Sequence, residues 1–172
     1  MGKSEAAYFA TIYDLCGLPG MMLAGWLLTR WFRGSWAVLC VVLGLGLVVG
    51  YGALTTIGPN PVQIAVCFGF IGMMLYGADS LLKGLASLEV AGERNGVAVA
   101  AFVNGVASVS PVLQEEIIGA WMKTKDLPLG IQRSHTLALA FAIVFVFTMG
   151  FIVWKVHGRS GAVTARDSGG SL

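Results

Sequence analysis

The chain alternates between long apolar stretches and short polar joints, and the apolar stretches are too long to be strands of a soluble sheet. Residues 34–78 contain no Asp, Glu, Lys, Arg or His, a run of 45 residues interrupted only by Gly58-Pro59-Asn60-Pro61. At 1.5 Å rise per residue, each half predicts a helix of about 30 Å, the thickness of a bilayer's hydrocarbon core. Proline cannot continue a helical hydrogen-bond ladder, so the joint suits a tight reversal at the membrane surface. Extended along the chain, the pattern predicts five spans: residues 6–29, 36–57, 62–82, 95–121 and 136–156. The first carries one charge, Asp14, and the fourth none before Glu115. The expected fold class is an all-α, polytopic membrane helix bundle over residues 1–157. Residues 158–172, rich in Gly, Ser and Ala, are expected to form a disordered tail.

Composition agrees with this pattern. Charged residues make up 12% of the 172, against about 25% in soluble domains. The formal charge of +2 is too small to suggest a nucleic-acid partner; the bilayer is the implied surroundings. Cys16, Cys40 and Cys67 fall inside apolar segments without CxxC spacing and read as small buried hydrophobes. The first apolar stretch is long and lacks an A-x-A site, which argues against a cleavable signal peptide. No nucleophile–base–acid grouping, phosphate loop after a strand or HExxH occurs, so nothing points to an enzyme, a metal or a cofactor. His135 and His157 flank the fifth span and read as interfacial residues.

Five crossings put the two ends on opposite sides. Arg30, Arg33, Lys83, Arg94, Lys155, Arg159 and Arg166 fall on one side, and Lys3, Lys123, Lys125 and Arg133 on the other. The larger set marks the cytoplasmic face, so the chain is expected to start outside and end in the cytoplasm, as a multi-pass protein of a plasma or inner membrane. Gly46-x-x-x-Gly50 and Ala101-x-x-x-Gly105 allow close backbone approach and read as packing faces within the chain. Pro19 and Pro111 are expected to bend the first and fourth spans.

Several polar residues are candidates for function. Asp14 lies about two turns into an apolar span, where an ionised carboxylate costs about 2.5–3.5 kcal/mol and needs a partner or water. It is either a cavity acid or a polar residue reaching the outer interface. Asp79 and Lys83 stand four apart in the favourable order for a helical ion pair. Gln114, Glu115 and Glu116 lie near the outer end of the fourth span. Adjacent residues diverge by about 100°, so at most one Glu can enter a cavity as a coupling acid.

Two blocks of sequence resemble the organophosphate:phosphate antiporters of the major facilitator superfamily. The first is Tyr13-Asp14-Leu-Cys-Gly17-Leu-Pro19-Gly20, followed by Gly25-Trp26 and Trp31-Phe32-Arg33-Gly34. It is similar to a Tyr-Glu-x-x-Gly-Ile-Pro-Gly run leading into a Gly-Trp-x-x-Asp-Lys-x-Phe-Arg-Gly loop. The second is Ile71-Gly-Met-Met-Leu-Tyr76-Gly77, then Leu88-Glu89-Val-Ala and Gly96-Val-Ala. It looks like the tenth helix and following loop of the same family. The resemblance covers about residues 3–121 and implies that the five spans match helices eight to twelve of a twelve-helix transporter.

The implied activity is exchange of a phosphorylated sugar or polyol for inorganic phosphate by alternating access, completed by an N-terminal half. In that family two arginines, on helices one and seven, bind the phosphate, and neither position lies in this chain. Tyr76 matches a tyrosine lining the central cavity, where its hydroxyl could meet substrate, and Asp14 matches a cavity acid. Gly25, Arg30 and Arg33 match the loop that controls conformation. The loop acid is replaced by Thr29 and the eleventh helix lacks its tyrosine, which weakens the match at those points. A non-transporting remnant or a sugar-phosphate sensor of the same family is the alternative.

Overall fold

The computed structural model describes residues 3–58, 60–122 and 127–167. Every regular element among them is helical: α1 (Lys3–Arg30), α2 (Trp36–Thr56), α3 (Pro61–Leu81), a π turn (Leu82–Ala86), α4 (Ser87–Met122) and α5 (Leu127–Asp167). Five helical segments are long and apolar enough to cross a membrane: Ala7–Arg30, Trp36–Thr56, Pro61–Gly92, Arg94–Trp121 and Leu129–Lys155. The all-α bundle expected from the hydropathy pattern is the observed fold.

Local sequence explains the joints. After α1, the amides of Trp31 and Gly34 donate to Leu27 and Leu28 (both 2.9 Å), closing the helix end while Arg33 and Gly34 turn the chain with positive φ (49° and 84°). At the other reversal Asn60 caps α3, its side-chain oxygen accepting from the Val62 amide at 3.0 Å. Pro61 follows at the first helical position, where its missing N–H leaves nothing unpaired.

Three boundaries differ from the sequence expectation. The third span does not end at residue 82. The helical path continues through the π turn and Ser87, and breaks only at Gly92, where φ is 71° and ψ is 169°. Leu82–Ala91 is mostly apolar and helix-compatible despite Lys83 and Glu89, and Gly92 is where a left-handed backbone costs least. The fifth helix begins at Leu127, so Arg133 and His135 lie inside it. It continues to Asp167, through ten residues of the segment expected to be a disordered tail. Lys123 and Lys125 lie outside the described residues, as do residues 168–172. α1 also runs unbroken through Pro19.

Packing follows the order α1, α3, α2, α5, with α3 between α1 and α2. One core cluster joins Ala24, Leu28, Leu39, Cys40, Leu43, Ala78, Leu81 and Met149; a second joins Leu47, Leu54, Ile71 and Ala142. The α1–α3 seam is backbone on backbone. A Cβ on Gly20 would collide with the Met73 carbonyl, and one on Gly72 with the Tyr13 carbonyl, so both positions require glycine. Gly46 and Gly50 pack against Met74 and Ile71 of α3, as their spacing predicts. Gly105 faces open space, which corrects the expectation that Ala101–Gly105 packs within the chain. From Val97 onward α4 has no buried residue among those described, and the backbone of α4 as a whole comes close only to α5 and the π turn.

Candidate functional site

The α1–α3 seam brings two of the sequence candidates into contact. The Tyr76 hydroxyl donates to Asp14 Oδ1 at 2.7 Å. Gly17 makes room for this bond: a Cβ there would sit 2.6 Å from the Tyr76 ring. Tyr13 closes the other side edge-on, with ring centroids 5.7 Å apart and planes at 65°. Gly17 and Tyr13 thus set the Tyr76 ring, and its hydroxyl holds the carboxylate.

Depth is consistent between the two helices. Asp14 and Tyr76 each lie about sixteen residues before the ends of their spans, at Arg30 and Gly92. Sixteen residues are about 24 Å of helix, so both side chains lie within the apolar spans, Asp14 about 10 Å from the opposite end of its helix and Tyr76 near the middle of its own. Farther along, the Lys83 ammonium in the π turn pairs with Asp79 of α3 at 2.7 Å, the helical ion pair expected from their spacing. Tyr76, Asp79 and Lys83 recur at three and four residues, so they form a stripe from α3 into the π turn. The stripe and Asp14 lie on an open face: Asp14 is exposed, Asp79 is 47% exposed and Lys83 33%.

The other candidates do not join this cluster. Gly25 borders open space, and the guanidinium groups of Arg30 and Arg33 are exposed without an ion pair among the described residues. Thr29, standing where the resemblance calls for an acid, donates back to Gly25 O (3.3 Å) and Trp26 O (3.0 Å) of its own helix. Glu116 is exposed on α4, which does not approach α1 or α3; the Glu115 side chain lies outside the described residues. Among the described residues no group of His, Cys, Asp and Glu could hold a metal.

Two features went unread in the sequence. Gly17-x-x-Gly20 and Gly69-x-x-Gly72 repeat at one helical turn, a signal for the tight seam that a search for GxxxG alone passes over. The Trp36 indole N–H donates to Glu89 Oε2, tying the start of α2 to the segment after the π turn. Aromatic residues gather at both ends of the bundle: Trp26, Trp31, Trp36 and Trp154 at one, Tyr8 and Trp121 at the other. Such belts suit the two surfaces of a bilayer. No protein-family model, curated protein or solved structure matches the chain.

Proposed function

We propose that the chain is the C-terminal part of a secondary-active membrane transporter that exchanges a phosphorylated sugar or polyol for inorganic phosphate. The observation that carries the proposal is the Tyr76–Asp14 hydrogen bond on an exposed face between two apolar spans. Lipid solvates a carboxylate poorly, so a face bearing Asp14, Tyr76, Asp79 and Lys83 belongs against a water-filled cavity or another protein surface. In transporters of this architecture the site lies near the midplane, between two halves that rock around it.

In this account the five spans are helices eight to twelve and the C-terminus is cytoplasmic. Tyr76 contributes a hydroxyl to the substrate, and Asp14 orients Tyr76. Arg30 and Arg33 contact the other half at the cytoplasmic surface. Phosphate binding belongs to arginines outside these residues, so the chain alone does not transport.

The test is reconstitution in phosphate-loaded liposomes. The chain alone shows no saturable exchange. Co-reconstituted with the seven N-terminal helices of a glycerol-3-phosphate-type antiporter, it gives saturable exchange of external phosphorylated sugar for internal phosphate. Saturable exchange by the chain alone, or none from an assembled complex, contradicts the proposal. One observation favours a sensor or remnant: the Thr29 hydroxyl bonds to its own helix and leaves Arg30 without an acid to latch against. A partner recovered by crosslinking, with no exchange in the assembled state, supports that second function.

A further inference from the structure

The attachment of α4 is the least usual feature of the bundle. Beyond Gly96 it buries no described residue, so its angle is set where it leaves α3 rather than along its length. That exit has two joints five residues apart. The first is the π turn Leu82–Ala86, a local widening of the helix that commonly marks functional positions. The second is Gly92, whose φ of 71° only glycine adopts freely.

Three contacts hold the short link between these joints. The buried Ser87 hydroxyl donates to Leu82 O at 3.1 Å, satisfying a carbonyl of the π turn. Gly96 packs on Leu88, where a Cβ would come within 2.5 Å of the Leu88 side chain, so α4 folds back closely on the link. The third is the bond from the Trp36 indole to Glu89. Its two ends differ in character. Trp36 packs against the main core cluster and starts α2 directly after the turn closed by Gly34, so the donor is fixed. Glu89 is exposed on the movable link.

We propose that the Trp36–Glu89 hydrogen bond is a latch that sets the angle of α4 about the hinge formed by the π turn and Gly92. Closed, it joins the α1–α2 corner to the α3–α4 corner, at the end of the bundle where Arg30, Arg33 and Arg94 gather. Opened, it leaves the link held by Ser87 and Leu88 alone, and α4 is free to swing from α5. The latch does not depend on the transport proposal, because it rests on the hinge and on how little of α4 is buried.

The test is hydrogen–deuterium exchange of the full chain in lipid nanodiscs, comparing Trp36→Phe, Glu89→Ala, Glu89→Gln and the Trp36→Phe/Glu89→Ala double variant. Each of the first two speeds exchange of amides 88–98 several-fold, while the α2 amides 41–54 keep their native protection. The double variant is no faster than the faster single, because both remove one bond. Glu89→Gln, whose amide oxygen still accepts from the indole, stays near the native rate. Native rates in all variants, multiplying effects in the double variant, Glu89→Gln as fast as Glu89→Ala, or equal loss of protection across α2 each overturn the latch.

Discussion

Tyr76 and Asp14 are 62 residues apart in sequence and 2.7 Å apart in space. Periodicity could place Asp14 in a span but could not choose between a cavity acid and an interfacial one, because a single helix says nothing about its neighbours. The structure joins the two residues by a hydrogen bond across the α1–α3 seam. Removing the donor tests what that bond contributes. Hydrogen bonds between membrane helices contribute about 0.6 kcal/mol on average, with about 1.7 kcal/mol at the high end. Tyr76→Phe is expected to lower the unfolding free energy in bicelles by that amount. Asp14→Asn, which keeps an acceptor oxygen, is expected to change it by less than about 0.5 kcal/mol. Equal losses in the two variants would show that the hydroxyl needs a charged acceptor and that a neutral amide oxygen does not replace it.

At the level of elements, what could be read depended on how local the signal was. The 57–61 reversal was readable because Asn60 and Pro61 act within one turn, by cap and fixed φ. The continuation of α3 to Ala91 was not, because a span drawn to bilayer length ends near residue 82, while the backbone break comes only at Gly92. The start of α5 at Leu127 was missed because Arg133 and His135 look like the end of an apolar run, although a helix accommodates them near a membrane surface. The glycine seam gives the sharpest contrast between elements. Gly20→Ala or Gly72→Ala must push α1 and α3 apart, and overpacking of this kind costs about 1–3 kcal/mol. Gly105→Ala meets open space and is expected to cost less than about 0.5 kcal/mol. Unfolding of the three variants in bicelles separates these cases; equal costs would mean that the seam is not closely packed.

For the whole molecule, hydropathy and the cation distribution make a joint claim that a fold of five helices alone does not settle. Short turns put the α1–α2 corner, the π turn, Gly92 and Lys155 at one end of the bundle, and the 57–61 turn and Trp121 at the other. The first end carries Arg30, Arg33, Lys83, Arg94 and Lys155, and is the cytoplasmic one in our account. The polar α1–α3 face and the open side of α4 then lie along the membrane, and in the transporter we propose they are covered by its other helices. Labelling with an impermeant thiol reagent in intact cells tests the five crossings most directly, using Gly58→Cys and Ser35→Cys against the background of the native chain. The account predicts that Gly58→Cys is labelled from outside and that Ser35→Cys is labelled only after permeabilisation. Labelling of both without permeabilisation, or recovery of the chain in the soluble fraction without detergent, would contradict it.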